Sequence, residues 1–291
     1  MGNTGAPMSL ILTEQRIRFT CLSEPHLIET LDLDQLVDDL ADGTPPGFLT
    51  PERLCVQDLV VLATLPDPGA KHDPGAKHDP DAKGCAGGRY LGLLGARDAT
   101  AEGRAFLQLD MACVAPRVRG QRLASSLIAR AAAERIGRTA ILAARTATPA
   151  WFHALRHFTA ALSGAAFHPT PDGAVVTLRT AALARRIAGA LCPEHRHDVA
   201  TGVLHGKWPV PAHRLRRHAS ADAWCEAMRE AQPMVSERLL AVIDLHDVPE
   251  AALRALAPPD EPPKAEHPKR DCPTVGHPKP DHKKIRQPKA G

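Results

Sequence analysis

Leu107-Gln-Leu-Asp-Met-Ala-Cys-Val-Ala-Pro-Arg-Val-Arg-Gly-Gln-Arg-Leu-Ala-Ser-Ser-Leu-Ile-Ala129 decides how this chain is read. Phe106–Ala115 is a long strand that stops at Pro116, which has no N–H to carry a ladder onward. The chain turns through Arg119-Gly120-Gln121-Arg122-Leu123-Ala124 into an Ala- and Leu-rich helix over Arg122–Ile136, closed by Gly137. Such a turn leaves the first N–H groups of the helix without internal partners, at the positive end of its dipole. That is a ready place for a diphosphate. Gly120 lets the backbone approach an anion closely. Arg119 and Arg122 add fixed positive charge. Leu123 and Leu127, four apart, face the sheet.

Upstream of this stretch, Ile17–Cys21, Leu59–Leu65 and Tyr90–Leu94 read as strands, and Leu27–Leu40 has near-helical spacing. Ala99–Arg104 is a turn around Gly103. Downstream come a strand at Thr139–Ala143, a helix at Pro149–Leu162 with Thr148 at its N-cap, and a strand at Val175–Leu178. Strand, strand, strand, helix, strand, helix, strand implies a mixed sheet with helices packed on it. Beyond lie a helix at Ala181–Leu191, a basic loop region to Ser220, a helix near Ala221–Glu230, a strand at Leu239–Leu245 and a short helix at Glu250–Leu256. The expected organisation is a domain over residues 1–180, a C-terminal helix and strand addition over 181–257, and a disordered Pro-, Lys- and His-rich tail over 258–291. The addition would either cover a cleft or form a second, degenerate sheet. Residues 67–84 repeat Asp-Pro-Gly-Ala-Lys-His and hold nothing larger than Ala that could be buried, so they are expected to be a flexible loop.

Composition narrows the function. The 291 residues are 44% hydrophobic but only 3% aromatic, so the core must rest on Ala, Leu and Val. A formal charge of +3 and few aromatics argue against a base-stacking nucleic-acid surface. Seven cysteines with no Cys-x-x-Cys pair argue against a disulfide framework or zinc ribbon. No apolar run reaches the ~18 residues of a membrane span. Met1–Met8 lacks a signal core, and Ala6 breaks the myristoylation pattern. A cytoplasmic location with reduced thiols is the expectation. Cys192-Pro-Glu-His195-Arg-His197 has ligand-type residues without a second matching pair, so no metal site is assigned. His213-Arg-Leu-Arg-Arg-His218 is a basic run, either a solvated helix end or a dock for an acidic partner.

The decisive stretch resembles the GNAT superfamily of acyl-CoA N-acyltransferases. The family's motif is Arg/Gln-x-x-Gly-x-Gly/Ala after a strand that ends in Val-x-Pro. Val114-Ala115-Pro116, Arg119 and Ala124 match it, and Gly120 matches a common Arg-Gly start. Arg122 departs, because the family usually has Gly there. The second resemblance is Trp151-Phe-His-Ala-Leu-Arg-His-Phe158, where the family often has Tyr-x-x-x-Gly-Phe. His153 stands in the place of Tyr, and His157 in that of Gly. The resemblance spans roughly residues 55–180 and implies an α/β fold with a mixed, mostly antiparallel sheet flanked by helices.

It also implies acetyl-CoA or another acyl-CoA as co-substrate, and transfer of the acyl group to an amine, of a small molecule or a protein. Cys113, Val114, Arg119, Gly120, Gln121, Arg122, Leu123 and Ala124 would hold the coenzyme, with main-chain atoms of Ala112, Cys113 and Val114 along its pantetheine arm. A homodimer is open to such a chain. Alternation places Gln108, Asp110, Ala112 and Val114 on one face of the strand. Asp110 is the only carboxylate there and the candidate base. Apolar neighbours would make it hold a proton more readily, and the competing reading pairs it with an arginine. His153 is the candidate acid for the departing thiolate, or else a packing residue. Cys113 reads as a buried core thiol. The alternative to catalysis is a degenerate GNAT-fold module that binds acyl-CoA or a protein.

Overall fold

The computed structural model describes residues 17–23, 31–40, 47–66, 88–146, 148–169, 177–206 and 237–258. The repeat at 67–84, the basic run at His213–His218, the helix near Ala221–Glu230 and the tail beyond Pro258 lie outside them.

The scaffold is built on one long hairpin. β3 (Arg89–Ala101) and β4 (Arg104–Val114) are joined by Glu102 and Gly103, both at positive φ (47° and 76°). Two left-handed residues in succession match the twist of the flanking strands, and glycine takes that conformation without cost. The turn is therefore two residues long. Ala99–Ala101 and Arg104, expected to lie within the turn, are strand instead, Ala99–Ala101 pairing with Phe106–Arg104. β1 (Arg18–Leu22) and β2 (Leu59–Leu65) extend the sheet antiparallel on one side. Between them lie helices α1 (Leu33–Leu40) and α2 (Pro51–Cys55).

On the other side of β4 lies β5 (Ile141–Thr146), the one parallel neighbour in the strand order, reached through helix α3 (Leu123–Arg135). β9 (Glu237–Asp244) then lies antiparallel to β5, from Ile141↔Asp244 to Thr146↔Leu239. β6 (Ala166–His168) and β8 (Val203–His205) share the far edge of β9, and β7 (Arg196–His197) pairs with β8. The C-terminal strand thus enters the same sheet. The order is β1-β2-β3-β4-β5-β9-β8-β7, a mixed and mostly antiparallel sheet flanked by helices.

Of the strand expected at Val175–Leu178, residues 175 and 176 lie outside the described residues, and Leu178 opens helix α5 (Leu178–Leu191). Thr177 caps that helix, its hydroxyl accepting from the Thr180 N–H at 3.2 Å. Strands β6, β7 and β8 have three, two and three residues, too short to show a period.

Small residues set the helix on the sheet. α3 buries Leu123, Leu127, Ile128, Ala129, Ala131 and Ala132. Beneath it Gly92 presents no side chain, and a Cβ there would lie 3.0 Å from Leu127 Cδ1 and 3.3 Å from Leu123 Cδ2. Close approach with few aromatics is how an Ala- and Leu-rich chain fills its core. α4 (Pro149–Ala160) packs beside α3, sharing its core through Phe152, Leu155 and Phe158. α5 covers the opposite face through Leu183, Ala184, Ile187 and Ala188, packed with Phe106, Ile141, Ala143, Leu240 and Val242. The short helix α6 (Glu250–Leu256) lies against α3. No helix among the described residues is long and apolar enough to cross a membrane.

Candidate functional site

The register of β4 locates the site. Gly95 pairs with Met111 and Ala96 with Leu109, so Asp110 is an extra residue, a β-bulge. On its other edge β4 pairs with β5 only over Leu107–Leu109 against Leu142–Ala144. Both strands run on, β4 to Val114 and β5 to Thr146, without further pairing to each other. The two parallel strands part at the bulge. A crevice beyond the C-terminal ends of parallel strands is where ligands commonly enter such sheets.

The bulge also changes which side chains share a face. Val114 pairs with Gly92, whose missing Cβ points at α3, so Val114 and Ala112 lie on the α3 side. Gly95, which pairs with Met111, faces the other way: a Cβ there would meet Met111 Cγ at 2.6 Å and Gln57 Cγ at 3.0 Å. Gln57 bonds Asp110, so Asp110 belongs to that opposite face. Simple alternation placed Gln108, Asp110, Ala112 and Val114 together. The extra residue divides them into two pairs on opposite faces.

Asp110 does not sit among apolar neighbours as expected. Its Oδ1 accepts from Gln108 Nε2 at 3.0 Å and Arg97 Nη2 at 3.3 Å, and Arg145 Nη2 of β5 lies 3.7 Å away. Its Oδ2 accepts from Gln57 Nε2 at 3.2 Å. The sequence reading did not foresee Gln57, Arg97 or Arg145, which come from three separate elements. Two polar atoms of this cluster, Gln57 Oε1 and Arg97 Nε, are buried without a partner. Arg145 also reaches Cys192 Sγ at 3.7 Å, and burial raises the pKa of that thiol against the opposing effect of the guanidinium. Arg238 of β9 lies near enough to Arg145 that burial first, and that like charge second, lower its pKa.

On the other side of the sheet the turn into α3 has the expected form. Pro116–Val118 make a single 3₁₀ turn, Gly120 takes φ +80°, and no side chain caps α3. A Cβ at Gly120 would meet nothing within 4 Å, so the turn faces open space. Arg122, where the family usually has glycine, holds φ +62° at the N-cap with its side chain exposed. Gln121 Oε1 is buried without a partner. Arg119 Nε donates to the Val114 carbonyl at 3.1 Å, which ties the turn back to the end of β4. Cys113 is buried, as expected of a core thiol, and Leu123 is buried beside half-buried Ala124.

His153 lies on α4, half-buried, its ring 5.1 Å from that of His157. The Ser125 hydroxyl of α3 donates to the next carbonyl, Ala154 O, at 3.1 Å. His153 therefore sits near the first turn of α3, on the helix face of the sheet. Asp110 lies on the other face, so the two candidate proton-transfer residues lie on opposite sides of the sheet. The motif residues gather at the α3 turn, and the groups around Asp110 gather across the sheet from them.

No protein-family model and no curated protein matches the chain. Among solved structures it is similar to a Desulfovibrio desulfuricans protein described as an acetyltransferase of the GNAT family. The identity is 17%, over 50% of this chain and 83% of that one, with a TM-score of 0.29. A second likeness is to the NatC complex bound to Gag peptide and CoA, at 15% identity over 44% and 74%, with a TM-score of 0.27. At scores this low, the description of the fold rests on the chain's own strand order and register.

Proposed function

We propose that this chain transfers an acyl group from acyl-CoA to an amine. One observation carries the reading: β4 leaves β5 at the Asp110 bulge, beside a helix start that no side chain caps. The edge of β4 beyond Asp110, which β5 leaves, offers main-chain groups to an amide-bearing arm. The N–H groups at the start of α3, with Arg119, Gly120 and Arg122, offer a diphosphate both charge and room. These residues fit the coenzyme.

In the reaction, an amine nitrogen bonds the thioester carbonyl carbon, the C–S bond breaks, the nitrogen sheds a proton and the thiolate gains one. Asp110 lies where the strands part and takes the amine's proton through Oδ2, the oxygen less crowded by donors. His153, on the α3 side, protonates the leaving sulfur. A catalytically silent acyl-CoA-binding module is the second reading. The two guanidiniums beside Asp110, and the bond from Arg119 to the Val114 carbonyl, favour it.

The test is acetyl-CoA binding by calorimetry, followed by thiol release with a panel of amines. Binding with turnover supports transfer, binding alone supports the module, and neither removes both.

A further inference from the structure

The Gln57 side chain is 3% exposed, on the chain that leaves α2 for β2. Its Nε2 donates to the Arg53 carbonyl at 2.8 Å and to Asp110 Oδ2 at 3.2 Å. Both amide hydrogens are thereby used. Turning the amide over would set Oε1 against two acceptors, so chemistry fixes which end is which. Oε1 is then a buried acceptor with no donor. A buried polar atom left so forfeits its hydration without return, and native structures fill such positions with water or ligand. Space for the side chain is made by Gly95, where a Cβ would lie 3.0 Å from Gln57 Cγ. This buried acceptor stands next to the candidate base where the strands part.

We infer that Gln57 Oε1 is a positioning group for the acceptor: it accepts an N–H of the amine and, with Asp110 Oδ2, sets the nitrogen beside the parting of β4 and β5. The inference rests on the acyl-transfer reading. The chemistry favours primary amines, whose two N–H groups can meet Gln57 Oε1 and Asp110 Oδ2 together, and it excludes a quaternary nitrogen, which has none. Gln57 neither gains nor loses a proton. It holds the nitrogen with its lone pair free while Asp110 takes the proton and the C–S bond breaks.

The test uses the full chain with acetyl-CoA and the amines n-butylamine, phenethylamine, spermidine and lysine. Gln57→Met keeps the length of the side chain and removes both polar ends. The amine KM should rise about tenfold or more, with acetyl-CoA affinity unchanged and kcat within a few fold. A role in folding alone would lower the melting temperature and leave the split between KM and kcat untouched. Wild-type protein gives a measurement free of variants. The N,N,N-trimethyl counterpart of the best amine should inhibit at least about tenfold more weakly than the primary amine binds. An unchanged amine KM in Gln57→Met, or equal affinity for the trimethyl compound, overturns the inference and leaves acyl transfer standing. A wild-type chain that turns over no amine, whether or not it binds acetyl-CoA, overturns the acyl-transfer reading, and this inference with it.

Discussion

Arg145 of β5 reaches Asp110 of β4, Nη2 to Oδ1 at 3.7 Å, across the gap that opens where the two parallel strands part. The two groups are partly shielded, at 29% and 15% exposure, so the pair is worth about 1 kcal/mol or less. Asp110 also accepts from Gln108, Arg97 and Gln57, so Asp110→Asn sets an amide NH2 against a donor and should cost about 1–3 kcal/mol of stability. The substitution should lower turnover on the order of 100-fold while the donor constant stays put, because the proposed reaction makes Asp110 the proton acceptor and leaves the turn into α3 untouched. Steady-state kinetics beside a urea melt checks this. A large loss of stability with normal specific activity would make Asp110 a structural ion pair.

In the proposed reaction His153 acts from the other face of the sheet and on the other proton. Its loss should combine with the loss of Asp110 as a product of the two rate effects, as expected of separate groups on opposite faces of the sheet. The measurement is kcat for His153→Ala, Asp110→Asn and the double variant. A double variant no slower than the slower single one would mean that the two serve one proton path, and full activity in it would mean that neither was rightly chosen.

Gly120 separates charge from strain. Its φ of +80° makes any side chain there costly by roughly 1 kcal/mol, yet a Cβ would meet nothing within 4 Å. Gly120→Ala and Gly120→Glu carry the same backbone penalty and should melt alike. Only the glutamate sets a like charge where a diphosphate would lie, a repulsion of several kcal/mol. Acetyl-CoA should bind Gly120→Ala with modest loss and Gly120→Glu not at all. Equal binding to both, by calorimetry, would remove the diphosphate from this turn.

The strand, turn and helix of the motif were legible because their signals are local: a strand stopped by Pro116, a turn at Gly120 and a Leu123/Leu127 stripe. So were β2, α4 and β9 to within two or three residues. The bulge at Asp110 was not legible, because it is a property of pairing between β3 and β4 and leaves no mark on one strand's pattern. That one extra residue put Ala112 and Val114 on the face away from Asp110. Gln57 and Arg145 were missed for a related reason, since only tertiary register brings 57, 97, 108, 110 and 145 together.

Arg122 occupies a left-handed N-cap, φ +62°, where a β-carbon costs roughly 1–2 kcal/mol. Glycine removes that cost but adds freedom to the unfolded chain, which returns part of the gain. Arg122→Gly should leave stability unchanged or raise it by up to about 1 kcal/mol. It also removes one cation from the turn, so acetyl-CoA affinity should fall a few fold and become less sensitive to salt. Denaturant melts and calorimetry at two salt concentrations decide this. A clear loss of stability would mean that the exposed guanidinium is held by contacts that outweigh the strain.

His168 makes the sheet sensitive to acid. It is fully buried on β6, on the α5 face with its partner Val242, and neither ring nitrogen has a hydrogen-bond partner. The His197 ring stands 6.1 Å away. Burial first, and the His197 charge second, bring the pKa of His168 down from 6.5 to about 4. The folded chain therefore resists a proton that the unfolded chain accepts near 6.5. Between those values the unfolded state binds more protons, so this contribution to stability is complete above pH 6.5 and falls as pH drops toward 4. The loss by pH 4 is about 3 kcal/mol for a shift of this size. His168→Leu has nothing to protonate at this position. In urea melts with chelator present, the wild-type chain should lose stability between pH 6.5 and 4 more steeply than His168→Leu, the curves diverging by up to that amount. Parallel curves over the window would mean that His168 is hydrated in the folded chain and titrates there as it does unfolded.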